Sequence, residues 1–177
     1  SNVENIVKHF TNHPTIKVTT ILCNNPNAGV IDRAKRLDIP CIVFSKKELE
    51  DGTVGKLLQQ NSIDFIVLAG FLLKFPENLT MKYTHKIINI HPALLPKYGG
   101  KGMFGDNVHK AVVENEETES GITIHFVNQH YDEGKIIFQT KCEVLPTDTF
   151  EDVASKIHAL EYEYFPKVIS DLLLTLS

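Results

Sequence analysis

The sequence predicts an α/β fold of the Rossmann-like kind, with a mostly parallel twisted sheet and helices on both faces. Three observations carry this. Short apolar runs alternate with amphipathic ones along the first half of the chain, which implies strands joined by helical crossovers. The run 63–69 is apolar at every position but Asp64, as expected of a strand covered on both faces. Turn-forming segments such as Asn24-Asn25-Pro26-Asn27 separate the runs.

Taken in order, residues 16–23 read as a strand that ends in that turn. Residues 29–37 read as a short helix and 40–44 as a second strand. Ser45 is placed to cap a helix running to about residue 60, with Glu48 completing a capping box. Gly52 and Gly55 weaken the middle of that helix. After the run 63–69 come a short helix at 76–83 and a short strand at 86–90. A helix is expected over 107–115, and strands over 122–127 and 135–144 around the turn 128–134. A long helix follows from Phe150 to about Leu174, with a kink at Pro166. The late strand pair need not be parallel. The 177 residues show no repeat or linker and suit one domain.

Composition narrows the function. Hydrophobic residues make up 42% and charged residues 23%, the balance of an ordinary globular protein. A net charge of −4 gives no electrostatic footprint for nucleic acid or a membrane surface. Small anionic ligands remain compatible with it. Cys23, Cys41 and Cys142 are odd in number and widely spaced, so neither a disulfide framework nor a zinc ribbon is indicated. A reduced, cytoplasmic compartment is the expectation. The apolar stretch 65–73 is too short to span a bilayer, and no signal peptide is visible.

The chemistry concentrates in two segments. In the first, a strand ends at Ile88-Asn89-Ile90-His91 and a Pro- and Gly-rich loop follows. Open α/β sheets bind ligands at the carboxyl ends of their strands. Asn89 and His91 are two residues apart and share a strand face. An amide N–H and an imidazole aimed at one point can stabilise a developing oxyanion. In the second segment, Thr123 and His125 alternate with Ile122, Ile124 and Phe126, so one strand face is polar, and Asp132 sits on the turn beyond. An acid there can raise the pKa of an imidazole by favouring its charged form. The bland alternatives are a capping Asn, a satisfied core His and an ordinary turn Asp. The eight histidines match no metal-ligand spacing, and no Gly-x-Ser-x-Gly elbow is present, so neither a catalytic metal nor a nucleophilic serine is expected.

The segment Asn89-Ile90-His91-Pro92-Ala93-Leu94-Leu95-Pro96-Lys97 resembles the signature of the folate-dependent formyltransferases. The continuation Tyr98-Gly99-Gly100-Lys101-Gly102-Met103-Phe104-Gly105 looks like the glycinamide ribonucleotide branch of that family, as does Ser120-Gly121-Ile122-Thr123-Ile124-His125-Phe126-Val127. The resemblance covers nearly the whole chain. It implies transfer of a formyl group from 10-formyltetrahydrofolate to the amine of glycinamide ribonucleotide, in purine synthesis, without a metal or a covalent enzyme intermediate. It identifies Asn89, His91 and Asp132 with the catalytic trio. Asn89 and protonated His91 would stabilise the tetrahedral oxyanion, Asp132 would keep His91 charged, and water would relay the proton from the amine.

The resemblance also implies binding residues. Thr123 matches a position near the water network, and His158 and Glu161 match the ribonucleotide side. The folate would lie along Leu72, Leu73, Lys74 and Phe75 and against Asn89, Asn128, Gln129, His130, Tyr131 and Asp132, with Lys47 near its acidic tail. Plain core packing is an equal alternative for Leu73 and Phe75. The family opens with a strand and a Gly-Ser-Gly-Ser-Asn-like phosphate loop, whereas Ser1-Asn2-Val3-Glu4-Asn5-Ile6 matches only the end of that loop. Ser1 and Asn2 are the expected phosphate contacts. The natural protein is expected to extend upstream by roughly ten residues, enough for a short strand and a turn. Two competing readings are formyltetrahydrofolate deformylase, with water as acceptor, and a non-catalytic folate-binding domain.

Overall fold

The computed structural model describes residues 1–176. In chain order the elements are α1 (Asn2–Phe10), β1 (Ile21–Cys23), α2 (Val30–Arg36), β2 (Cys41–Val43), α3 (Lys46–Glu50), α4 (Thr53–Gln60) and β3 (Ile66–Leu68). There follow α5 (Glu77–Lys82), β4 (Ile87–His91), α6 (Asp106–Glu114), β5 (Glu119–Phe126), β6 (Ile136–Glu143) and α7 (Phe150–Leu176). This is the expected α/β class. The chain divides into two compact units, one of residues 1–65 with the end of the chain from Ile169, the other Ile66–Val168.

In the first unit β1 and β2 pair in parallel, Ile21 opposite Cys41. The expected strand 16–23 is reduced to three residues. The reason is Pro40. Its carbonyl accepts from Ile21 N at 2.8 Å, but it has no N–H, so the ladder cannot continue toward residue 16. Val7, Ile21 and Ala34 form a small core, flanked by Val3, Val18, Val30, Leu37, Ile39 and Cys41. The capping box forms as expected: Ser45 Oγ accepts from Glu48 N at 3.2 Å, and Ser45 N donates to Glu48 at 2.7 Å. The single helix expected beyond it is broken into α3 and α4. Gly52 stands between them at φ +89°, a left-handed conformation that glycine adopts without steric cost.

The second unit carries a four-stranded sheet in the order β3-β4-β5-β6. β3 and β4 are parallel, with α5 in the crossover, while β4–β5 and β5–β6 are antiparallel. The sheet is therefore mixed, and the late strand pair is antiparallel. Ile87, Ile88, Ile122, Ile124, Val108, Val112, Val153, Ile157 and Phe165 are all fully or nearly fully buried. α7 opens on a reciprocal cap in which Thr149 Oγ1 accepts from Asp152 N at 3.2 Å and Asp152 accepts from Thr149 N at 2.9 Å. It continues through Pro166 as one helix. No helix among the described residues is long and apolar enough to cross a membrane.

One buried polar group stands out. His109, on α6, is 2% exposed, and its Nδ1 has no hydrogen-bond partner. Burial pushes its pKa below 6.5, nearby His158 adds to the effect, and Asp106 opposes it. In the unfolded chain the ring protonates near its ordinary value, so the folded state binds fewer protons there. The stability this neutral ring supports is present above about pH 6.5 and is lost as the pH falls through its lower folded-state value. Denaturant midpoints measured from pH 7.5 down to 5.5 should decline, and His109→Leu should decline less. An equal decline in the variant would contradict this assignment.

Candidate active site

The site is built on the paired ends of β4 and β5. Antiparallel register sets Asn89 opposite His125 and His91 opposite Thr123. Alternate residues of a strand share a face, so these four side chains converge on one side of the sheet. A pairing irregularity between Ile124 and His125 skips Ile137 on β6 and lies next to the site.

Asp132 reaches the same point from the connection between β5 and β6. It adopts φ +56°, so the chain turns sharply there. Gly134 makes the turn possible. A Cβ at that position would lie 1.6 Å from the Phe126 carbonyl oxygen, so no side chain fits. Asp132 Oδ2 accepts from Gly100 N at 2.9 Å and faces His91 Nδ1 at 3.5 Å. Its Oδ1 faces His125 Nε2 at 3.6 Å. The carboxylate thus lies between two imidazoles.

Each ring is held by a carbonyl on its other nitrogen. His91 Nε2 is 2.7 Å from the Tyr98 carbonyl, and His125 Nδ1 is 2.9 Å from the Phe126 carbonyl. Carbonyls only accept, so these nitrogens carry hydrogen and donate. His125 Nε2 is then the acceptor for Asn89 Nδ2, at 3.2 Å. One of the two amide hydrogens of Asn89 is used in this bond, and the second can serve a ligand.

Burial and charge compete in this cluster. Asp132 favours the charged form of His91 as expected, but burial outweighs it. His91 is 3% exposed, and burial pushes its pKa below 6.5. Asp132 and the Tyr98 carbonyl pull it upward, His125 pushes it down, and burial prevails. For Asp132 the balance is reversed. Burial raises its pKa, but the nearby His125 and His91 rings and the Gly100 N–H together bring it below its ordinary value.

The remaining predicted residues fall into different places. Thr123, expected beside a substrate water network, is 0% exposed. Its hydroxyl donates to the Ala93 carbonyl at 2.6 Å and accepts from Leu95 N at 3.1 Å and Gln139 Nε2 at 2.8 Å. Those bonds use its full capacity, so it anchors the loop after β4 from behind. Phe75 is buried and meets Phe71 edge-on at 6.0 Å, which makes it a core residue. Leu72 and Lys74 are exposed and Leu73 half-buried on the same loop. Asn128, Gln129, His130 and Tyr131 are exposed on the loop leading to Asp132, where Asn128 Oδ1 accepts from His130 N at 2.8 Å. On α7, Glu161 is buried, and exposed His158 stacks on Tyr162 at 6.3 Å. Ser1, Asn2 and Lys47 belong to the first unit. There Ser1 caps α1, Asn2 opens it, and Lys47 is exposed on α3.

Sequence reading noted His125 on the polar strand face but gave it no place in the site. The antiparallel register that brings it to Asn89 is a tertiary fact. The backbone groups of Tyr98 and Gly100 carry no side-chain signal at all. Among the described residues, no group of three or more His, Cys, Asp or Glu side chains is arranged to hold a metal ion.

An amide, two imidazoles and a carboxylate gathered at the end of an α/β strand define a class of protein that does polar chemistry on a small ligand. The sequence profile described as formyl transferase matches residues 1–169, and the chain belongs to the formyl transferase family. Among its relatives, the chloroplastic phosphoribosylglycinamide formyltransferase of Arabidopsis thaliana is 39% identical over 158 residues, covering 86% of this chain and 54% of that protein. The phosphoribosylglycinamide formyltransferase of Haemophilus influenzae is 36% identical, covering 86% of this chain and 72% of that one. The crystal structure of glycinamide ribonucleotide transformylase 1 from Geobacillus kaustophilus superposes with a TM-score of 0.88 at 31% identity, covering 98% and 93% of the two chains. The chain spans about half the length of the plant relatives it matches, 54% and 51%.

The competition at His91 gives a measurable outcome. Histidine-selective NMR titration should place its midpoint below 6.5, and Asp132→Asn should lower it further, because the imidazolium loses its negative neighbour. An unchanged midpoint in the variant would rule out the coupling.

Proposed function

We propose that this chain transfers a formyl group from 10-formyltetrahydrofolate to the primary amine of glycinamide ribonucleotide, a step of purine synthesis. The observation that carries this reading is the convergence of Asn89, His91 and Asp132 at the carboxyl end of β4, in a chain whose relatives bear the name of that activity. The amine nitrogen attacks the formyl carbon and a C–N bond forms. The formyl oxygen gains negative charge, and the bond from carbon to the folate nitrogen then breaks. The amine loses one proton and the departing nitrogen gains one, with water as relay.

Asn89 donates its second amide hydrogen to the oxygen as charge develops. His91 enters neutral, takes up a proton from solvent as the oxyanion forms, and returns it when the oxyanion collapses to the product carbonyl. A second negative neighbour beside Asp132 offsets the burial that otherwise disfavours the imidazolium. The folate lies along Leu72, Leu73 and Lys74 and against the loop from Asn128 to Asp132. Phe75, buried against Phe71, anchors the segment that carries Leu72, Leu73 and Lys74. His158 and Glu161 serve the ribonucleotide. Ser1 and Asn2 are assigned to its phosphate and Lys47 to the folate's acidic tail, as the family resemblance implies. We also propose a reducing, cytoplasmic location, in keeping with three free cysteines.

A spectroscopic assay of formyl transfer, run with and without glycinamide ribonucleotide, tests the reading. Turnover should require the ribonucleotide. Formate release in its absence would indicate hydrolysis, and folate binding with no turnover would indicate a binding domain. Asn89→Ala and His91→Ala should each lower kcat by about 100- to 1,000-fold while folate affinity changes far less. Near-normal kcat in either variant at saturating substrates would remove that residue from the chemistry.

A further inference from the structure

The loop between β4 and α6 is held on two sides. On the inner side its backbone touches the site: the Tyr98 carbonyl accepts from His91 Nε2 at 2.7 Å, and Gly100 N donates to Asp132 at 2.9 Å. On the outer side the Tyr98 phenol donates to Glu117 Oε1 at 2.9 Å and accepts from Asn115 Nδ2 at 3.0 Å. Lys97 places its ammonium 2.9 Å from the same carboxylate. Tyr98 itself is left-handed, at φ +55°. An L-residue keeps that conformation only where its surroundings impose it.

We propose that Tyr98 and Glu117 are positioning residues for His91: their phenol–carboxylate clamp fixes the Tyr98 carbonyl against Nε2 and so decides which ring nitrogen faces Asp132. A neutral imidazole has one N–H and here two acceptors compete for it. The Tyr98 carbonyl at 2.7 Å holds it on Nε2, against Asp132 at 3.5 Å from Nδ1. Nδ1 is left bare beside a carboxylate, ready to take a proton and form an ion pair. If the carbonyl moves away, the hydrogen shifts to Nδ1 and donates to Asp132. The same imidazolium forms from either tautomer, so what changes is the nitrogen that must take up the proton and the loss of the carbonyl that holds Nε2–H.

The groups that face this system are few. Asp132 and His125 act on His91. Lys97, Tyr98 and Glu117 act on one another, with Glu119 acting on Lys97. The hydrogen bond from Lys97, reinforced by that from Tyr98, holds the Glu117 carboxyl below the usual carboxylate range, so the clamp keeps its charged acceptor at neutral pH. Because it joins Lys97 and Tyr98 on the loop to Asn115 and Glu117 beyond α6, it ties the catalytic loop to the far end of that helix.

The kinetic consequence rests on the formyl-transfer reading, but the tautomer does not. In a histidine-¹⁵N-labelled protein above the His91 midpoint, long-range proton–nitrogen spectra should show His91 with hydrogen on Nε2. Tyr98→Phe and Glu117→Ala should shift it wholly or partly to Nδ1 and lower the titration midpoint. Glu117→Gln keeps an oxygen acceptor for the phenol and should restore the Nε2 form. In the assay, the first two variants should lower kcat by about 10- to 100-fold with KM little changed. Should Glu117→Ala fail to fold, Tyr98→Phe, which deletes a single oxygen, decides alone. A folded Tyr98→Phe protein with the parent's tautomer and midpoint would overturn the proposal. The spectra need no substrate, so failure of the formyl-transfer reading would leave this test intact and is told apart from it.

Discussion

The site depends on a carboxylate kept ionised between two buried imidazoles. Asp132 is the meeting point: one oxygen takes the Gly100 N–H and faces His91, and the other faces His125. Burial alone would favour the neutral acid. The His125 and His91 rings and a backbone amide reverse that preference. The arrangement is mutual, because the same carboxylate opposes the burial that drives His91 toward its neutral form. Removing the charge would take away the pull that opposes burial at His91, and would leave the loop amide without its acceptor.

The rest of the second unit serves this arrangement. Parallel pairing with β3 on one side and antiparallel pairing with β5 on the other place β4 inside the sheet, with its carboxyl end at the site. Register then matters in single residues. A slip of one position would turn Asn89 and His91 to the opposite face, away from His125. The hairpin from β5 to β6 returns Asp132 to the strand ends it has just left, through a turn whose geometry excludes a side chain at Gly134. Thr123 fastens the loop after β4 from behind, through Ala93 and Leu95, so the loop backbone meets His91 and Asp132 at fixed distances. Positioning is thus distributed over backbone groups of the loop as well as over the side chains that do the chemistry.

Much of this was legible in residue order. The apolar run at Ile66–Leu68, the alternation through Ile122–Phe126 and the Ser45–Glu48 cap are local signals, and local physics settles them. Asn89 and His91 were legible as a pair because a spacing of two on a strand is itself a statement about direction. What sequence reading missed depends on partners distant in the chain. Residues 16–20 alternate like a strand, yet the ladder ends where Pro40 cannot donate. Thr123 lies on the polar strand face, but the loop after β4 covers it and consumes its hydroxyl. The upward pull of Asp132 on His91 was legible as a neighbouring carboxylate, whereas the depth of burial that outweighs it was not.

The central claim is that Asp132 stays charged in spite of its burial, and its own carboxyl group reports on this directly. With carboxyl-¹³C aspartate incorporated, the Asp132 resonance, assigned through Asp132→Asn, can be followed from pH 7 to pH 4.5. The account predicts that it stays at the ionised position throughout, since its pKa lies below 3.8. A midpoint within that range would show that burial prevails over the two imidazoles, and would contradict the account.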